Sequence, residues 1–206
     1  FIFIFLGAVA LLTVGYLSYN KFIKEPKEIE GAEDMFVSQQ NFQKALDATT
    51  GQDSLFSLAL NGADGKFGFV KIAEEYSGTD AGNLANYYAG ISYLNIGKNT
   101  EAISYLDKFK SDDIVLNALA KGAIGDAFAQ KNQLKEALDY YKKAAASFSE
   151  DESNASEYLF RAALLSETTG KNAEALALYK EIKEKYPTTD KGFLADKYIY
   201  RLGSEK

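Results

Sequence analysis

The chain repeats itself at a nearly constant interval. Residues 87–109 (YYAGISYLNIGKNTEAISYLDKF) set beside residues 122–144 (GAIGDAFAQKNQLKEALDYYKKA) place Gly90 on Gly125, Tyr93 on Phe128, Ala102 on Ala137 and Tyr105 on Tyr140, an offset of 35 residues. A third copy, residues 160–182, puts Ala163 on Gly125, Ala175 on Ala137 and Tyr179 on Tyr141 at an offset of 38, with Gly170 in the connecting turn. A further match joins residues 69–85 to 179–195 at an offset of 110, pairing Tyr76 with Tyr186, Asp80 with Asp190 and Gly82 with Gly192. Within each copy Ala, Leu, Lys and Glu recur three and four residues apart, the period of a helix rather than a strand. Such an interval marks stacked two-helix units that cannot bury their apolar faces singly.

The spacing has a packing reason. Gly90, Ala102, Gly125, Ala137, Ala163 and Ala175 fall where two antiparallel helices would cross closely, and Tyr93, Leu106, Phe128, Tyr141 and Tyr179 fill the gaps between them. Gly97, Asn132 and Gly170 stand at the turns, where a left-handed backbone costs Gly little and Asn not much more. Pro187 closes the last pair, since proline cannot continue a helix. The pattern G-x-x-Y/F…G/N…A-x-x-x-Y/L…P resembles the tetratricopeptide repeat over about residues 65–202, with Ile124, Gly125, Phe128, Ala137, Tyr141, Ala144, Gly170, Ala175, Tyr179 and Pro187 carrying the likeness. Departures are Asn86, Lys121 and Leu159 where a bulky aromatic is usual, and Ala89 where a leucine is usual. The resemblance implies an all-α protein, an α-solenoid of about four helical hairpins with a terminal capping helix.

Ahead of the repeats lies a different kind of segment. Residues 1–20, FIFIFLGAVALLTVGYLSYN, carry no charge, and about 20 apolar residues are what a helix needs to cross a bilayer core. Phe1, Phe3 and Phe5 mark one end; Tyr16, Tyr19, Lys21 and Lys24 mark the other, as an interface favours. A cleaved signal peptide would need a basic leader and an A-x-A site, and a buried core helix would need a polar stripe. The reading adopted is a single membrane span over residues 1–23, then a charged tether (24–34, KEPKEIEGAED) and a repeat domain (35–206), with a flank expected before Phe1. Lys21, Lys24 and Lys27 are interleaved with acids, so they do not decide orientation. Small residues Gly7, Ala8, Ala10, Gly15 and Ser18 offer surfaces to other membrane helices.

The stretch FQKALDA…SLALNGADGKFGFVKIAEEYSGTDAGNLANYYAGISYL behind such an anchor is similar to the YfgM family of bacterial envelope proteins. That resemblance implies an ancillary subunit of the Sec translocon in the inner membrane, with its repeat domain in the periplasm. It would work beside integral translocon subunits and a periplasmic chaperone or exported chains. An envelope adaptor in outer-membrane protein assembly or cell division is the alternative, and a self-assembling structural array a third.

Much chemistry is excluded. The chain holds no His and no Cys, and its net charge is −6. Imidazole or thiolate nucleophiles and metal sites of those ligands are impossible, and an acidic balance argues against nucleic acid as partner. Adjacent carboxylates (Glu74 and Glu75, Asp112 and Asp113) point about 100° apart on a helix and do not share a proton. SEDESN (149–154) lacks calcium-loop spacing, and GADGKFG (62–68) lacks the phosphate-loop pattern and reads as a turn. The expectation is a non-enzyme without cofactor or metal. The first helices of the pairs would line a concave wall for a protein segment, through Tyr87, Ile91, Leu94, Asn95, Asp126, Gln130, Phe160 and Leu164, with Gly122, Ala129, Glu167 and Thr168 beside them. Without a run of Lys, Arg and Asn it does not suit a C-terminal carboxylate. Tyr198 is expected to pack inward and Tyr200 outward on the terminal helix.

Overall fold

All regular structure among the described residues is helical, as the three- and four-residue periodicity requires. The computed structural model describes residues 2–204 apart from Asp64 and Ser149, with the side chains of Ile2, Phe3, Ile4 and Leu6 outside the described set. Phe1 and the side chain of Phe3, expected to mark one end of a membrane span, therefore lie outside the described set. The chain divides into two compact units, residues 1–96 and 97–206, where one repeat domain beginning at residue 35 was expected.

The first unit opens with α1 (Ile2–Tyr19), runs through a π-helical turn (Asn20–Lys24), and continues without a loop into α2 (Glu25–Asp47). Then follow α3 (Gln52–Asn61), α4 (Phe69–Glu75) and α5 (Asp80–Asn95). Among the described residues no helix is long and apolar enough to cross a membrane. The 18 residues of α1 reach about 27 Å at 1.5 Å per residue.

The charged tether is corrected by the fold. Residues 25–34 are the first turns of α2, and their charges serve helix ends. The Glu28 carboxylate accepts from the backbone N–H groups of Asp80 (2.7 Å) and Ala81 (2.9 Å) at the start of α5. Lys27 Nζ donates to the carbonyl of Glu75 at the end of α4 (3.3 Å). Tyr76 donates its hydroxyl to Asp34 (2.6 Å), and Gly31 is buried against Tyr76 and Ala81. Helix termini leave unpaired donors and acceptors, so charges that look like a solvated linker in sequence become fasteners. Behind them Phe42 meets Phe56, Phe69 and Tyr88 edge-on, and Phe69 stacks on Tyr88 at 5.1 Å.

The second unit contains α6 (Asn99–Lys108), α7 (Ile114–Gln130), α8 (Leu134–Ser147), α9 (Glu152–Thr168), α10 (Asn172–Lys185) and α11 (Asp190–Ser204), each packed on the next from α6 through α11 apart from the junctions' turns. The expected turn residues adopt left-handed backbone: Gly97 at φ 72°, Asn132 at 58° and Gly170 at 74°. At the crossing of α7 and α8, a methyl on Gly125 would lie 2.7 Å from the Tyr141 ring and 3.5 Å from the Ala137 carbonyl, so glycine there is a packing requirement. Ala137, Ala163 and Ala175 are fully buried. Phe148 stacks on Tyr158 at 5.8 Å, and Tyr179 stacks on Tyr198 at 4.8 Å while Phe160 closes on both edge-on.

The match between residues 69–85 and 179–195 is a shared junction. Thr79 donates its hydroxyl to the Tyr76 carbonyl (2.7 Å) and accepts from the Gly82 N–H (3.0 Å). Thr189 makes the same pair with Tyr186 (2.9 Å) and Gly192 (3.0 Å). At the two other helix starts with a side-chain cap the residue is an aspartate: Asp113 accepts from Val115 and Leu116, and Asp151 from Asn154. Asp113 and Asp151 belong to two of the three acid-rich stretches weighed above for catalysis or metal binding; they satisfy orphan N–H groups.

Candidate protein-binding wall

In the second unit the first helices of the pairs are α7, α9 and α11. Asp126 sits between two neighbours: Tyr141 on α8 donates its hydroxyl to Oδ1 (2.8 Å), and Arg161 on α9 presents Nη1 to both carboxylate oxygens (3.0 Å each). Arg161 also donates through Nε to Glu157 (2.9 Å), and Lys191 on α11 reaches the other Glu157 oxygen at 3.0 Å. Burial pushes the Tyr141 hydroxyl far above its ordinary pKa, and the Asp126 charge adds to it. Burial works against the Arg161 charge, but the hydrogen bond to Glu157 and the charge of Asp126 outweigh it and raise its pKa. Burial alone would raise Glu157; the bonds from Arg161 and Lys191 win and hold it below the usual carboxylate range. One turn further on, Glu167 accepts from Tyr179 on α10 (3.0 Å) and from Arg201 on α11. A carboxylate on a first helix, a tyrosine from the second helix of the same pair and an arginine from the next first helix thus recur as a three-helix latch.

Beside the first latch lies an open pocket of about 330 Å³ lined by Asp126, Tyr141, Arg161, Leu164, Leu165 and Thr168. Two expected wall residues, Asp126 and Leu164, come together there. Gln130 is exposed at the end of α7, away from this lining. Phe160 is corrected: it is 5% exposed, held between Tyr179 and Tyr198 with the Lys191 ammonium over its ring, and belongs to the core. Gly122 is corrected too, since a methyl there would lie 2.2 Å from the Tyr158 ring. Both sit on the side of their helix that meets a neighbour, so the space that would face a groove is already filled by packed rings. Tyr198 is packed inward and Tyr200 is 80% exposed, as expected.

In the first unit the expected residues all lie on α5. Tyr87 is half-buried, its ring edge-on to Tyr88 at 5.8 Å, and burial raises its hydroxyl pKa. Ile91 and Leu94 are half-buried, and Asn95 turns its amide back to the Ile91 carbonyl (2.9 Å). The neighbour of α5 on this wall is α2. It packs on α3, α4 and α5 much as α9 packs on its pair partner α10 and on α11. So α2 is itself a first helix, and its second helix is broken into α3 and α4 by the loop 62–68. A pocket of about 410 Å³ opens between α2 and α5, lined by Phe36, Gln39, Gln40, Phe42, Gln43 and Tyr88.

Phe36, the three glutamines, Arg161 and Lys191 were missed in sequence. The first four fall before the recognised repeats, Arg161 stands two residues before the crossing residue Ala163, and Lys191 lies on the terminal helix, where no crossing residue was placed. The signal for α2 was present: Gly31, Met35, Ser38, Phe42 and Ala45, three or four apart, are its buried face. Among the described residues no group of three carboxylates can hold a metal ion. The arrangement offers aromatic and aliphatic surface with amide, carboxylate and guanidinium groups around it, which suits binding a polypeptide.

The tetratricopeptide repeat family model matches residues 87–152 and 123–189, which together cover half of the chain. The chain belongs to the tetratricopeptide-repeat family. No curated protein and no solved structure matches it. The matched span runs from the middle of α5 to the α10–α11 junction, the pairs whose crossing residues are small. Tetratricopeptide repeats are scaffolds for protein–protein interaction and are typically not catalytic, and the walls described above belong to such a scaffold.

Proposed function

We propose that this tetratricopeptide protein is a membrane-anchored scaffold ancillary to the Sec protein-export machinery, holding a partner or exported chain outside the cytoplasm. The observation that carries the binding half is the pair of open pockets on first helices, each combining an apolar floor with polar groups at its border. Support for the anchor is the uncharged run up to Asn20, with exposed Leu11, Leu12, Val14, Tyr16 and Tyr19 and with Lys21 and Lys24 after it. The helical continuity of α1 with α2 would hold the repeats close to the membrane, where tethering raises effective concentration and modest affinity suffices. The export role rests on the likeness to the YfgM family.

Capture from membranes in mild detergent with crosslinking tests it. Translocon subunits should co-purify, and Leu164→Asp, or Thr168→Glu where the side chain is exposed, should reduce the yield while the helical content stays unchanged. Recovery of outer-membrane assembly or division proteins instead would overturn the export reading. Release of the chain from membranes by alkaline carbonate would overturn the anchor.

A further inference from the structure

We propose that the outward edge of α2 pairs with the same helix of a second copy, in parallel and in register, so that the chain is a homodimer. The orientation rests on the anchor reading above; the surface does not. In a stack of helix pairs an interior first helix is covered from both sides: α9 packs on α8 before it, on its partner α10 and on α11 after it. α2 has a partner in α3 and α4 and a follower in α5. What precedes it is α1, which joins it end to end through the π-helical turn. The side that α8 takes on α9 is therefore open on α2. Repeat arrays ordinarily close their ends with polar side chains. Here the end is apolar.

Ile29 is 63% and Phe36 62% exposed, seven residues apart, and Phe22 at the π-helical turn, 73% exposed, stands seven before them. Nine residues beyond Ile29 and Phe36, half a turn round at about 100° per residue, are Ser38 and Ala45, both fully buried. The stripe thus faces directly away from the core of its own unit. Apolar residues exposed singly need no partner. A row at seven-residue spacing is different, because that spacing keeps one seam of a helix against another helix.

A second copy fits the seam in three respects. Ala32, exposed between Ile29 and Phe36, lets a second backbone come close. The stripe continues in the amides of Gln40 and Gln43; an amide carries donor and acceptor together and is its own complement across a two-fold axis. Copies anchored in one membrane stand parallel, so identical residues meet, Ile29 on Ile29 and Phe36 on Phe36. From Phe22 to Phe36 the seam runs about 21 Å, less than the three or four heptads (about 21–28 residues) of a free-standing coiled coil. Tethering in one membrane raises the effective concentration, so a short seam suffices. Glu33, exposed beside Ala32, brings two carboxylates together and limits the affinity.

The chain has no Cys, so Ala32→Cys places a single thiol on the stripe. In the full chain in membranes, oxidation should link two copies through it, whereas Glu74→Cys, exposed on α4, should stay unlinked. In detergent micelles, light scattering should give the mass of two chains. Phe36→Ala should weaken the dimer about tenfold, and Ile29→Asp with Phe36→Asp should leave monomers of unchanged helical content. Glu33→Gln or added salt should tighten it about threefold. A monomeric mass for the parent chain, or a dimer that survives the double aspartate, would overturn the proposal. A dimer that needs Phe36 but gives no link through Ala32→Cys would overturn the parallel register. Open-ended oligomers lost with Phe193→Asp and Tyr200→Asp, exposed on α11, would overturn it in favour of head-to-tail contact. Release of the chain by alkaline carbonate fails the anchor reading alone; the masses in micelles decide the dimer.

Discussion

Replacing Gly192 by alanine should destabilise the second unit, against the ordinary expectation for a helix. An added methyl normally favours a helical position by about 1 kcal/mol over glycine. At Gly192 it would stand 2.0 Å from the Tyr186 carbonyl oxygen and 3.0 Å from Cα and the carbonyl carbon of Pro187. The obstacle is backbone, so no side chain can swing aside, and forcing it away costs about 1–3 kcal/mol as in other overpacked sites. The displaced carbonyl also receives the Thr189 hydroxyl (2.9 Å) and N–H (3.2 Å), and the same hydroxyl holds the Gly192 N–H. Loosening that cap costs about 1 kcal/mol more. The net loss is about 2 kcal/mol. Gly203 on the same helix is the control, because an added methyl there meets nothing within 4 Å; Gly203→Ala should be neutral or stabilising by less than about 1 kcal/mol. Urea unfolding followed by far-ultraviolet circular dichroism compares the two within one unit. A Gly192→Ala midpoint equal to or above that of Gly203→Ala would refute the reasoning, and with it the account of why Gly82 and Gly192 coincide in the repeat.

Other consequences can be measured on the same material. Asn132 holds φ at 58°, so Asn132→Gly should leave stability unchanged or slightly higher while Asn132→Val lowers it by about 1–2 kcal/mol, read from the same titration. Glu157 lies below the usual carboxylate range when folded, so its contribution is present above the unfolded value of about 4.3 and is lost as pH falls below it; thermal melts between neutral and acid pH should show a shallower decline in Arg161→Met. Burial, joined by the neighbouring carboxylates, raises the hydroxyls of Tyr76, Tyr141 and Tyr179. Their contribution is complete below about 10 and fades as pH rises beyond it, so alkaline titration should unfold the chain in that window, and Tyr141→Phe should reduce the slope.

The stacked pairs were legible because their rules are local and periodic. A helix crossing needs a small residue at fixed spacing, and a turn needs Gly or Asn, so Gly125, Ala137, Gly97, Asn132 and Gly170 announce themselves without any knowledge of neighbours. The latches were not legible. Asp126, Tyr141 and Arg161 come from three helices, and nothing in the letters says that an acid in one copy meets a guanidinium 35 residues later. The first helix α2 was hidden for a related reason: its early residues are charged, and charge reads as solvent until the helix ends that it serves are in place.

The amino-acid sequence by itself determined the helical class, the pair-by-pair period and the turn positions, because these follow from backbone conformation and side-chain size along a single strand of text. Tertiary structure alone decided that Glu28 and Asp34 fasten α2 to the α4–α5 junction, that Phe160 is core, and that Phe36 and three glutamines face open space. Which side of a helix is covered depends on what arrives beside it from elsewhere in the chain, and hydrogen bonds between distant elements have no periodicity to betray them.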